Sequence, residues 1–179
     1  MKIELKNTRL LFLYRSILFK KVKFKTDKKD LRNIVNALNI KNKKNRIMYV
    51  YDEAIKEINT YYKDDLCKFV DGKCIVQRTT NSSNVNGCCM RCPIVTDKGC
   101  PSSNFACKLI YCKTAIGSSK RLNFNNVKIL KCLSIFQRIV ILSDFFSTRE
   151  EILDDVNKGF LRTICKYIFK RKYVLWKSI

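Results

Sequence analysis

The sequence predicts a mostly α-helical protein whose helical body carries a loop-rich, cysteine-ligated metal knot in the middle of the chain. Two observations predict this class. Helical periodicity is present both before and after the central segment, and eight of the ten cysteines lie within residues 67–112. A length of 179 residues suits one compact unit. We expect an N-terminal basic helical segment (1–63), the cysteine-rich knot (64–121) and a C-terminal helical segment (122–179).

The N-terminal segment is predicted to contain three elements. Residues 9–20 are apolar enough to be buried, and we expect a helix there, although so short a run does not separate helix from strand. Residues 28–40 place Leu31, Ile34, Val35 and Leu38 at helical spacing, which predicts an amphipathic helix. A third helix is expected from Tyr49 to Lys63. The apolar and aromatic residues on one side of this helix are predicted to lie in the core rather than to form a stacking surface. They are Tyr51, Ala54, Ile55, Ile58, Tyr61 and Tyr62.

The C-terminal segment is predicted to begin with one core helix from Asn126 to Phe146. Its inward residues are expected to be Ile129, Leu130, Leu133, Phe136, Ile139, Val140 and Leu142. A capping box, formed by Ser147 with Glu150 or by Thr148 with Glu151, then opens a short helix that ends at Gly159. A last basic helix is expected from Phe160 to about Arg171.

The cysteine cluster has the form expected of a metal site. The chain contains no histidine, so any metal must be held by thiolates, with or without carboxylates. Cys89 and Cys92 have the C-x2-C spacing that lets two thiolates reach one ion, and four thiolates suit either zinc or an Fe-S cluster. Disulfides and free thiols are the alternatives. The candidate ligands are Cys67, Cys74, Cys88, Cys89, Cys92, Cys100, Cys107 and Cys112.

The remaining two cysteines are expected to take no part in metal binding. Cys132 and Cys165 lie on apolar helix faces and are predicted to be small buried hydrophobic residues.

The cluster also resembles a known family. The resemblance is carried by Gly87-Cys88-Cys89-x2-Cys92, then Gly99-Cys100, then the run from Ala106 to Cys112 with its two terminal cysteines. Together these elements resemble the signature of the bacterial zinc- or iron-chelating cysteine-rich domain family. The resemblance covers residues 67–112, and it implies metal chelation without implying a reaction.

The charge of the chain indicates an anionic partner. There are 37 basic and 15 acidic side chains, giving a formal charge of +22, and the excess lies in residues 1–50 and 158–179. Nucleic acid or another polyanion is therefore a candidate partner, although lysine is also a common surface residue. Residues 152–172 have helix-turn-helix proportions, and an ordinary helical hairpin is the alternative. The candidate nucleic-acid-binding residues are Arg162, Lys166, Lys170, Arg171 and Lys172.

Other functional classes are disfavoured by the sequence. The N-terminal apolar run is interrupted by Arg15, so we expect no export signal. The longest apolar stretch is also interrupted, so we expect no membrane span and a cytoplasmic location. No catalytic constellation is recognisable, so the sequence leaves enzyme activity open and favours a non-catalytic role. The leading hypothesis is a structural Zn or Fe-S centre. The alternatives are nucleic-acid binding and Fe-S redox or metal-sensing chemistry.

Overall fold

The computed structural model is mostly helical with little strand, which confirms the predicted helical class. It describes residues 2–9, 11, 22–62, 70–71, 73–80, 96, 104–109, 116, 120–145, 147–159, 161 and 165. Most of the cysteine-rich segment therefore lies outside the described residues, as does most of the helix expected over residues 9–20, of which Leu11 is helical and buried.

Two short strands were not predicted from the sequence. β1 (Lys2–Glu4) and β2 (Lys23–Lys25) form a parallel pair with Ile3 opposite Phe24. Phe24 is buried in the core, whereas Lys23 and Lys25 are exposed on the other side of the sheet. Each strand has three residues, which is too few for an alternating pattern to stand out from chance.

The two predicted N-terminal helices are present. A 3-10 turn (Lys29–Leu31) leads into α1 (Arg32–Asn39), and α2 (Lys43–Tyr62) follows. α2 begins six residues before the predicted start at Tyr49. Its first turn is polar and was therefore not marked by apolar spacing, but Asn42 caps it by accepting a hydrogen bond from the Asn45 N–H at 3.0 Å.

The predicted continuous core helix from Asn126 to Phe146 is wrong. The chain instead forms two 3-10 turns, Phe124–Asn126 and Lys128–Cys132, and then α5 (Ile135–Ser143). The break is fixed by a capping box, in which Ser134 Oγ accepts from the Gln137 N–H and Gln137 Oε1 accepts from the Ser134 N–H, at 3.1 and 2.8 Å.

The break also changes which apolar side chains reach the core. Because the helix restarts at Ser134, its phase differs from that of a continuous helix, and the predicted burial of Phe136 and Ile139 is wrong. Both are exposed, whereas Val140 and Ile141 are buried. The predicted burial of Ile129 and Leu130 in the 3-10 segment, and of Leu133 just after it, is confirmed.

The second predicted capping box is confirmed in the Thr148–Glu151 form. Thr148 Oγ1 accepts from the Glu151 N–H at 3.3 Å, and Glu151 Oε2 accepts from the Thr148 N–H at 2.9 Å. They open α6 (Arg149–Lys158), which ends at Gly159 as predicted, with a positive φ of 108° that favours glycine. Of the expected last helix, Leu161 and Cys165 are described, and both are helical.

The core is organised around α2. This helix packs against α1, the 3-10 segment Lys128–Cys132, α6 and a short helix, α4 (Phe105–Leu109), from the cysteine-rich segment. A second short helix of that segment is α3 (Ile75–Thr80). Among the described residues, no helix is long and apolar enough to cross a membrane.

Candidate functional site

The structure describes two of the eight predicted metal ligands. Cys107 lies in α4 and is half-buried, whereas Cys74 immediately precedes α3 and is buried. The other six lie outside the described residues: Cys67, Cys88, Cys89, Cys92, Cys100 and Cys112. The hydrogen bonds around Cys107 connect this segment to the helical body.

Asn104 fixes the backbone that carries Cys107. Its Oδ1 accepts from the Cys107 N–H at 2.8 Å, and its backbone carbonyl accepts from the Lys108 N–H at 3.1 Å. Asn104 therefore serves as the N-cap of α4, a position that favours asparagine because the side chain satisfies an otherwise unpaired amide.

The same asparagine joins α4 to the loop between α5 and α6. Its Nδ2 donates to the carbonyl oxygens of Asp144 and Ser147, at 3.2 and 3.0 Å. Asn104 is only 1% exposed and Ser147 is fully buried. The Ser147 hydroxyl donates to Asp144 Oδ1, which closes a buried polar network across the loop. Buried polar groups contribute to stability only when they are paired in this way.

Tyr51 holds α4 from the side of α2. The Phe105 N–H donates to its hydroxyl oxygen at 3.3 Å, and the Phe105 side chain is fully buried, edge-on to Phe124. Burial raises the pKa of the Tyr51 hydroxyl well above its usual value, and the nearby Cys107 and Asp144 raise it further. Tyr51 therefore stays protonated at neutral pH.

The far end of α4 is held by a buried lysine. Lys108 is 7% exposed, and its Nζ donates to Asn59 Oδ1 on α2. Asn104, Tyr51 and Asn59 thus fix the position of a helix of only five residues, which is too short to be stable alone.

Cys74 has a different local setting. The backbones of Val70 and Lys73 pair in both directions at 3.0 Å, and Asp71 between them has a φ of 50°. This tight turn leads directly into Cys74, whose carbonyl accepts from the Arg78 N–H at 3.1 Å. The turn sets the direction in which the chain enters α3.

The two cysteines predicted to lie outside the metal site differ from each other. Cys132 is 2% exposed, and its thiol lies 4.0 Å from the Ile34 carbonyl oxygen, so its predicted burial is confirmed. The predicted burial of Cys165 is wrong, because this residue is exposed. Seven of the twelve residues from 160 to 171 are apolar, which is too many to define a single inward face from the sequence.

No metal centre can be assembled from the described residues alone, because they contain no group of three or more Cys, Asp or Glu side chains suited to one ion. The candidate nucleic-acid-binding residues Arg162, Lys166, Lys170, Arg171 and Lys172 also lie outside the part of the chain that the structure describes.

A groove of about 540 Å³ lies between the start of α1, the second half of α2 and the 3-10 segment. Its charged side chains largely pair with each other: Lys128 with Asp30 at 3.1 Å, and Lys56 with Glu53 at 2.5 Å. Burial raises the pKa of Glu57, although the positive charge of Lys128 opposes the shift. The internal pairing leaves little charge to recognise a ligand.

Comparison of the chain with protein-family models, with curated proteins and with solved structures finds no match. The family resemblance of residues 67–112 therefore stays a prediction.

The residues that anchor α4 were not predicted from the sequence. Asn104 could have been found, because an asparagine just before the apolar pair Phe105-Ala106 is a helix-start signal. Asp144 and Ser147 carry no comparable signal, because they pair with Asn104 across about 40 residues of sequence.

Proposed function

We propose that this chain is a metal-binding protein in which thiolates of residues 67–112 hold Zn²⁺ or an Fe-S cluster. The observation that carries the proposal is the anchoring of α4, which places the half-buried Cys107 at the edge of the helical body. In this arrangement α4 attaches the metal-bound segment to the body, and the metal has a mainly structural role.

The chemistry of the segment supports metal rather than an apolar core as its stabilising element. Residues 64–121 contain eight cysteines, four of the five glycines and both prolines. Such a segment buries little apolar surface of its own. A structural thiolate site contributes on the order of 10 kcal/mol of folding free energy per zinc ion, which offsets the entropy of ordering these residues.

Elemental analysis and absorbance spectra of the full chain, purified without oxygen, test the proposal. Bound zinc without visible absorbance supports a structural site, whereas bound iron with a broad visible absorbance supports an Fe-S cluster. The Cys89→Ser/Cys92→Ser variant is expected to lose metal. The matched control is Cys165→Ser, which changes an exposed cysteine outside the segment and is expected to keep full stoichiometry.

Limited proteolysis gives a second readout. A strong chelator, or the Cys89→Ser/Cys92→Ser change, is expected to make residues 67–112 sensitive to protease at concentrations at which α2, although less stable, is still folded and protected. Protein that carries no stoichiometric metal, with a proteolysis pattern that is the same with and without chelator, overturns the proposal.

A further inference from the structure

The two-stranded sheet presents lysines on one side. Lys2 lies beside Lys23 in register, and Lys25, two residues further along β2, lies beside Glu4; all four are exposed, so this side carries three lysines and one glutamate. Neighbouring positions on one side of a sheet lie about 5 to 7 Å apart. Three flexible lysine side chains therefore project from the same side of the sheet, close to one another.

The corner between α1 and α2 is fixed next to these strands. Asn39 Oδ1 accepts from the Phe24 N–H, and Asn39 Nδ2 donates to the Phe24 carbonyl, both at 2.9 Å. Lys41 Nζ donates to the Val22 carbonyl at 3.1 Å. Two exposed lysines open α2 immediately afterwards, so they start within about 11 Å of Lys41 along the chain. The N-terminal lysine cluster consists of Lys2, Lys23, Lys25, Lys43 and Lys44.

The cluster keeps a net positive charge, because Glu4, opposite Lys25 on the same side of the sheet, is the one carboxylate of the two strands. Lys56, Lys128 and Lys158 each form an ion pair with a carboxylate, whereas no described carboxylate lies within ion-pair distance of a cluster lysine. Like charges this close repel one another, and an anionic ligand relieves the repulsion.

We propose that the N-terminal lysine cluster binds the phosphate backbone of duplex DNA without sequence preference. Lysine is a compact point charge suited to phosphate contact. Single-stranded nucleic acid needs aromatic side chains for stacking, but Phe24, the aromatic residue of the sheet, is 4% exposed. Membrane insertion needs exposed apolar side chains, and Leu5 and Val22 beside the strands are buried.

The neutral polar side chains nearby do not favour base or ribose recognition. The Thr26 hydroxyl donates to the Leu5 carbonyl at 2.9 Å, and Asn42 Oδ1 is occupied by the Asn45 N–H. Recognition of duplex RNA relies on contacts to the 2′-hydroxyl, and the Thr26 hydroxyl and Asn42 Oδ1 already form hydrogen bonds within the protein. The ammonium groups are therefore the main recognition elements, and the binding is electrostatic.

A salt titration of full-length protein against a mixed-sequence DNA duplex tests the proposal. Each phosphate contact contributes about 0.9 to the slope of log Kd against log salt, so Lys23→Gln/Lys25→Gln/Lys43→Gln is expected to lower the slope by about 2 to 3. The corresponding lysine-to-arginine triple variant is expected to restore binding. If the glutamine triple variant does not fold, Lys2→Gln/Lys44→Gln is measured instead, with an expected loss of about 1.8 in slope.

The matched control is Lys56→Gln/Lys120→Gln/Lys158→Gln, which removes the same charge from exposed positions outside the cluster. It is expected to retain most of the slope. An equal loss in the control, no duplex binding at low salt, or tighter binding to single strands, duplex RNA or anionic vesicles each overturns the proposal. None of these results depends on the metal content of residues 67–112, so this proposal fails or stands separately from the proposed metal site.

Discussion

Removal of the Asn104 side chain is expected to be one of the more destabilising single changes in the described part of the protein. Asn104→Ala leaves the Cys107 N–H and the carbonyls of Asp144 and Ser147 without this amide partner, in a site where Asn104 itself is 1% exposed. Losing an N-cap costs about 1 kcal/mol. Each buried group left unpaired costs about 1 kcal/mol or more.

The expected loss of unfolding free energy is therefore about 3 kcal/mol: about 1 kcal/mol for the cap and about 1 kcal/mol for each of the two carbonyls. This is a large share of the roughly 5 to 15 kcal/mol that stabilises an ordinary domain. Urea denaturation followed by circular dichroism at 222 nm measures it. Limited proteolysis reports in parallel whether α4 has detached from the body.

Two further variants separate the contributions. Asn104→Asp keeps an oxygen that accepts from the Cys107 N–H but removes the amide donor to Asp144 and Ser147, so it is expected to be destabilising even though the cap is kept. Asn36→Ala removes an exposed asparagine whose 3.4 Å contact to the Tyr49 hydroxyl is weak, and is expected to cost less than about 0.5 kcal/mol. Asn104→Asp with the stability of the unaltered protein would refute the role assigned to the amide donor.

Three other changes test separate features. Ser134→Ala removes the cap that starts α5 and is expected to cost about 1 kcal/mol in urea denaturation, whereas an unchanged midpoint would contradict the capping role. A thiol reagent is expected to modify the exposed Cys165 in the native protein and Cys132 only after unfolding, as read by mass spectrometry of peptides. Because burial raises the pKa of Glu57, its charged form opposes folding above that pKa; Glu57→Gln should stabilise the protein at pH 7, and this gain should disappear in acid.

Helices that depend on local signals were predicted well. α1 follows from the spacing of Leu31, Ile34 and Leu38, and the start of α6 follows from the Thr148–Glu151 box. Both signals lie within a few residues of each other along the chain. Local periodicity and capping are therefore sufficient to place these elements.

The predicted helix from Asn126 to Phe146 is wrong because two local signals, apolar periodicity and a capping box, compete within it. The apolar run from Ile129 to Leu142 favoured one long helix, but Ser134 and Gln137 form a capping box within it, and the helix restarts there. The sequence contains this box as Ser-x-x-Gln, so the break was readable. The apolar periodicity extends over fourteen residues and outweighs a signal of four residues in a prediction from the sequence.

The anchoring of α4 could not be predicted from the sequence, because it depends on contacts between distant parts of the chain. Asn104 forms hydrogen bonds to the α5–α6 loop. The Phe105 N–H donates to Tyr51 on α2, more than 50 residues away. Cysteine spacing identifies the candidate ligands without indicating which of them the body positions. For Cys107 the structure adds that information, because α4 is anchored to the body through Asn104 and Phe105.

The contacts of α4 also determine how metal binding and folding of the body would influence each other. Phe105 is fully buried in the same core as Tyr51, so α4 is part of the body's packing as well as part of the cysteine-rich segment. A ligand that binds only the folded form stabilises everything that must fold with its site. If Cys107 binds the metal while α4 is docked, removing the metal lowers the stability of α2 and α6 as well as that of residues 67–112. A metal bound only by cysteines outside α4 would instead leave the melting of the body unchanged.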